Sequence, residues 1–122
     1  MNFPTPDWSL FIENHLEYIF RFRSAVYGLS GFEKIIPVSS DTCALGTFLQ
    51  SLAGTNLSRL PAYKELMEKH DAVHLQASTT YLAAMSADMM MTRAELKRLD
   101  QLTRELVQLI PKFQSSYSYL RH

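Results

Sequence analysis

Residues 61–90 read PAYKELMEKHDAVHLQASTTYLAAMSADMM, and the spacing within them decides the fold class. Tyr63, Leu66, Met67, His70, Val73, His74, Ala77, Tyr81 and Ala84 recur in steps of three and four. That period gathers them on one stripe of an α-helix, with both histidines inside it. Pro61 suits a first helical position, because its missing N–H is one that a helix start leaves unbonded anyway. The pattern predicts a helix from Pro61 to about Met90.

The chain on either side repeats the same period. Thr92 followed by Glu95 reads as a capping box and predicts the start of another helix. Its stripe is Leu96, Leu99, Leu102, Leu106, Leu109, Ile110, Phe113, Tyr117 and Leu120. Pro111 is expected to kink or interrupt that helix, since it removes a backbone donor and crowds the preceding turn. Upstream, Trp8, Ile12, His15, Ile19, Phe22, Val26 and Leu29 form the stripe of a first helix. Asp7 or Ser9 can cap it, and Gly28 or Gly31 can end it. Residues 30 to 41 read as a connection, after which Asp41 can cap a short helix running from near Thr42 to Gly54. Cys43 then falls in its first turn. No strand pattern competes. The expected fold is all-α, a four-helix-bundle-like single domain over residues 1–122, with three long helices and one short helix carrying the cysteine.

Composition narrows the function. The 122 residues carry 12 basic and 12 acidic side chains, so the formal net charge is zero. Arg21, Arg23, Lys64, Lys69, Arg93, Lys97, Arg98 and Arg104 are scattered rather than massed, which argues against nucleic acid as a partner. One cysteine makes no internal disulfide. The start, Met-Asn-Phe-Pro-Thr-Pro, lacks the pattern of a signal peptide, and no run has the length of a membrane span. A soluble, cytoplasmic protein is expected. Membrane-surface binding by the first helix is set aside, because its apolar stripe is needed for the core. Met89-Met90-Met91 reads as core or interface filling rather than a soft-metal site, which needs spaced methionines.

The chemistry lies in four residues. His70 and His74 sit one turn apart on one helix face, so both rings can address one ion. Burying two imidazoles without partners costs about 1–3 kcal/mol each, so something must satisfy them. His15 interrupts the apolar stripe of the first helix and poses the same problem. Taken singly, an inward histidine is ordinarily a core residue bonded to a carbonyl, and a lone cysteine a small buried hydrophobe. Taken together, three imidazoles and the thiol of Cys43 make a closed tetrahedral set suited to one zinc ion per chain. The other histidine, His122, is the last residue.

Three segments carry a family resemblance: Cys43-Ala44-Leu45-Gly46-Thr47-Phe48-Leu49, Leu60-Pro61-Ala62-Tyr63-Lys64-Glu65-Leu66 and His70-Asp71-Ala72-Val73-His74. With His15-Leu16-Glu17-Tyr18 ahead of them, they resemble the chemoreceptor zinc-binding domain family over roughly residues 12 to 85. By that similarity His15, Cys43, His70 and His74 correspond to the family's zinc ligands. Tyr18 and Phe48 stand where the family commonly has tryptophan, keeping an aromatic ring but losing an indole hydrogen bond. The resemblance implies a homodimer, for which Phe11, Tyr18 and Tyr119 are candidate interface aromatics. It also implies a link to chemotaxis receptors or diguanylate cyclases, which this chain is expected to meet in trans.

Two functions fit the set. One is a zinc-responsive regulatory module in signal transduction, in which ion occupancy sets bundle geometry. The other is a redox sensor, in which oxidation of the zinc-bound Cys43 thiolate removes a ligand. Catalysis is not expected. Asp71 follows the first histidine where a metalloprotease helix has Glu, and four protein ligands leave no open coordination position. A di-iron centre needs carboxylate ligands that the stripes lack.

Overall fold

The computed structural model describes residues 5–28 and 43–121. Expectations placed on Leu29, Gly31, residues 30 to 41, Asp41, Thr42 and His122 lie outside them. Among the described residues there are helices α1 (Trp8–Gly28), α2 (Ala44–Ser51), α3 (Pro61–Met85) and α4 (Met89–Arg121), with a 3₁₀ turn at Asn56–Arg59 and no strand. The all-α architecture with three long helices and one short one is as the periodicity predicts.

Each boundary has a local cause. Asp7 caps α1, its Oδ1 accepting from the Leu10 N–H at 3.0 Å. Cys43 is extended (φ −77°, ψ 150°), and its carbonyl accepts the Thr47 N–H at 2.8 Å, so it is the N-cap of α2 rather than a first-turn residue. That helix stops at Ser51, earlier than Gly54, which instead takes the left-handed conformation (φ 83°) in the turn beyond it. Pro61 opens α3 as expected.

The α3–α4 junction departs from expectation. The break falls at residues 86–88, so α3 ends at Met85, short of Met90. Ala87 is left-handed (φ 62°), and its N–H closes on the Ala84 carbonyl, which no helix continues through. Asp88 then caps α4, its Oδ1 accepting from the Met91 N–H at 3.0 Å. The Thr92–Glu95 capping box is therefore not the start. Thr92 is buried one turn inside α4, its hydroxyl bonded to the Asp88 carbonyl at 2.6 Å. Gln76 of α3 donates to both the carbonyl and the carboxylate of Glu95, so that side chain joins two helices instead of capping one. Pro111 does not interrupt α4. It is exposed, while Ile110 and Phe113 beside it are fully buried and hold the helix against the core.

α4 packs along both α1 and α3 and forms the spine of the bundle. Phe22 and Val26 of α1, Leu45 and Leu49 of α2, Leu66 of α3, and Leu106, Ile110 and Phe113 of α4 are all fully buried. Each such side chain is worth about 1.5–3 kcal/mol of burial. One end is closed by Trp8, whose ring meets Phe11, Phe48, Phe113 and Tyr117 at centroid distances of 5.9, 5.5, 6.1 and 5.6 Å. Phe11 therefore belongs to the core, at 5% exposure, and not to an outer interface. The Tyr63 hydroxyl donates to the Leu49 carbonyl at 2.6 Å and ties α2 to α3. This closure carries the α2 start, and with it Cys43, to the middle of α1 and α3.

Candidate metal centre

α1 supplies His15 and α3 supplies His70 and His74, all three buried, while Cys43 at the head of α2 is half-buried. One donor atom from each lies within 4.8 Å of the others. The Cys43 Sγ is 3.3 Å from His70 Nε2 and 3.8 Å from His15 Nε2. The Nε2 atoms of His70 and His74 are 3.0 Å apart. The rings meet edge to face, with interplanar angles of 74° to 85°.

These separations suit a tetrahedral ion. With Zn–N near 2.05 Å and Zn–S near 2.3 Å, ideal tetrahedral donors lie about 3.3 Å (N···N) and about 3.6 Å (N···S) apart. The observed distances straddle those values. The donor set, three imidazoles and a sulfur, is also the one borderline-soft zinc favours. Without a cation, a proton on one ring satisfies a single pair of these nitrogens. A cation satisfies every lone pair at once.

The protonation states agree. His15 Nδ1 donates to the Phe11 carbonyl one turn back at 2.7 Å, which fixes the tautomer and leaves the Nε2 lone pair facing the centre. Burial pushes the His70 imidazolium down to about 3, with the charges of His74 and His15 adding to it. Burial also lowers His15, opposed in part by the Phe11 carbonyl and assisted by His74. Both rings are thus neutral near pH 7, the form a metal requires. Tyr18 edges onto Phe22 at 5.2 Å, and burial raises its phenol to about 12. Phe48 stacks on Phe11 at 5.5 Å and belongs to the ring cluster around Trp8, whereas Tyr18 lies beside His15 and Cys43.

A sequence model described as the chemoreceptor zinc-binding domain matches residues 15–81, more than half of the chain. The chain belongs to the chemoreceptor zinc-binding domain family. Neither a curated protein nor a solved structure matches it. The family match opens at His15 and takes in Cys43, His70 and His74, so all four converging residues fall inside it. It ends before α4, which in this chemoreceptor zinc-binding domain contributes packing and no donor to the cluster.

The structure brings together the four residues that the sequence singles out, and two of their neighbours were not anticipated. The Phe11 carbonyl that orients His15 is a backbone group, detectable only by its position four residues before a helical histidine. Thr103, buried at 2% exposure in the α4 core face, lies next to the predicted stripe member Leu102. Asp71 is exposed and takes no part in the cluster.

Proposed function

We propose that this protein is a zinc-binding regulatory module in which His15, Cys43, His70 and His74 hold one zinc ion per chain. The observation that carries the reading is the convergence of four donors from three separate helices within 4.8 Å. Because α1, α2 and α3 meet only correctly when the donors converge, ion occupancy is coupled to bundle geometry. The short α2 gives way first on metal loss, since it is 8 residues long against 21 and 25 for its partners. Four protein donors leave no position for substrate, which favours regulation over catalysis. Native mass spectrometry of the protein and its His70→Ala variant tests this. One zinc per chain in the first and none in the second is expected; a folded parent that stays metal-free with zinc supplied overturns it.

A redox reading of the same site is favoured by one observation: Cys43 alone of the four is partly exposed. A zinc-bound sulfur is a thiolate. Attack on hydrogen peroxide would form an S–O bond, break the O–O bond and release hydroxide, leaving a sulfenic acid that binds zinc weakly. Zinc release on peroxide treatment that is abolished in Cys43→Ser distinguishes this from a passive zinc sensor.

The same proposal takes residues 1–122 as one domain, acting as a homodimer in the cytoplasm. A single cysteine that must stay reduced supports that compartment. No helix of the described residues is long and apolar enough to cross a membrane. Tyr119, at 81% exposure, is an interface aromatic still available after Phe11 is assigned to the core. Family membership supports a chemotaxis receptor or diguanylate cyclase as the signalling partner.

A further inference from the structure

Residues of α1, α3 and α4 line a space beside the cluster of donors. A cavity of about 200 Å³ lies there. Leu99 and Thr103 of α4 form its floor, Ile19 and Tyr18 of α1 one wall, and Val73 and Ala77 of α3 the other. Asn14, exposed, stands at the mouth. The upper rim is made by His15, Cys43 and His74.

The chamber is open on one side rather than sealed within the core, so a ligand can reach it from solvent. Its surface is mainly apolar, although Asn14, Tyr18 and Thr103 are among the lining residues. His15 is already committed through both nitrogens, Nδ1 to the Phe11 carbonyl and Nε2 to the cluster. Thr103, a lining residue, spends its hydroxyl proton on the Leu99 carbonyl at 2.7 Å, so its oxygen can act only as an acceptor. The site thus combines a mainly apolar chamber with the Thr103 hydroxyl in its lining residues. A chamber of about 150 Å³ lined by aliphatic side chains is enough to hold benzene.

We propose that this cavity binds a small, uncharged, mainly apolar molecule carrying one hydrogen-bond donor, of the phenol or indole class, with the donor directed to Thr103 Oγ1. Such a ligand touches three of the four cluster residues. It therefore acts as a second input to the metal centre, a consequence that rests on the zinc reading above.

The test is a methyl NMR titration of the zinc-loaded protein, following Ile19, Val73, Ala77 and Leu99, with phenol, indole, benzene and benzoate as probes. Phenol and indole should shift these methyls saturably at millimolar concentrations, benzene about fivefold more weakly for want of one hydrogen bond, and benzoate not at all. Thr103→Val should remove the advantage of phenol over benzene while benzene still binds. Ala77→Leu should fill the chamber and abolish both, and if that variant does not fold, Thr103→Val carries the test. No saturable shift with any probe, or a phenol preference that survives Thr103→Val, overturns the proposal. Zinc content measured on the same samples keeps the two readings apart. A metal-free protein that binds phenol refutes the zinc reading alone, and a zinc-loaded protein indifferent to every probe refutes the cavity alone.

Discussion

The Nε2 atoms of His70 and His74 lie 3.0 Å apart, one turn from each other on α3, with His70 Nε2 also 3.3 Å from the Cys43 sulfur. His70 is thus the hub of the cluster, touching both the neighbouring ring on its own helix and the donor from α2. Two imidazole nitrogens that close resist protonation, because a charge on one raises the cost of a charge on the other.

Chelation should therefore weaken the whole fold rather than one loop. A ligand present at a thousandfold its dissociation constant stabilises the native state by about 4 kcal/mol, which for a domain of this size is roughly 10–20 °C in Tm. Calorimetry with zinc and with a strong chelator measures the difference. Equal transitions in the two conditions would show that the metal contributes nothing to folding.

Acid should destabilise the metal-free protein. The His70 pKa is about 3 in the fold against 6.5 for the free side chain, so below pH 6.5 the unfolded chain binds a proton that the native state refuses. Stability is therefore full above about pH 6.5 and is lost as pH falls toward 3, at up to about 1.4 kcal/mol per pH unit for this one group. His15, lowered in the same direction, steepens the loss. Urea midpoints of chelated protein at pH 8, 6 and 5 check it, and replacing His70 by Asn should flatten the profile. A profile unchanged by that substitution would falsify the assignment.

Phe11→Ala should cost about 3–5 kcal/mol, the range for emptying a buried aromatic site. Its ring sits between Trp8 and Phe48, at 5.9 and 5.5 Å, in the cluster that closes the end of the bundle. Tyr119→Ser, at an exposed position, should stay within about 0.5 kcal/mol. If Tyr119 contributes to a dimer, sedimentation will show the second variant dissociating at a concentration where the parent stays paired. A stability loss of equal size in both variants would contradict the burial pattern.

The inward placement of the three histidines was legible because helical period is a strong constraint: once the stripes were drawn, His15, His70 and His74 had to face inward. Cys43 was placed one residue too deep, since a cap and a first-turn position differ by one residue and no flanking motif separates them. Phe11 was missed because the stripe was followed through Trp8, Ile12 and His15, although Phe11 lies one turn before His15 and shares its face. The break at residues 86–88 left no signal of the usual kind. It rests on an alanine in the left-handed conformation, where glycine is the residue that sequence patterns reveal. The following Asp88 was outbid, on paper, by the more conspicuous Thr92 and Glu95.

That junction gives a direct comparison of the two capping readings. Asp88→Ala removes the acceptor for the Met91 N–H and should cost about 1 kcal/mol. Ala87→Gly should stabilise by up to about 1 kcal/mol, because glycine takes a positive φ without the Cβ penalty that alanine bears there. Denaturant titration of both variants checks the pair. Equal losses in both would mean that residue 87 does not adopt the left-handed conformation.

Pro111 offers the last test, since the helix passes through it without interruption. A proline in a helix interior cannot donate to the carbonyl four residues back, here that of Val107, and its ring crowds the preceding turn. The penalty is about 3 kcal/mol in an unsupported helix. Here the fully buried Ile110 and Phe113 hold α4 to the core on either side, so the helix persists and the cost is carried by the fold as a whole. Pro111 itself is exposed, so its replacement disturbs no packing. Pro111→Ala should therefore stabilise the protein by about 1–3 kcal/mol, less the part returned through a more flexible unfolded chain. Metal content should not change, because the donors lie on α1, α2 and α3. A destabilised variant would show instead that the proline ring sets a bend on which the Trp8, Phe113 and Tyr117 cluster depends.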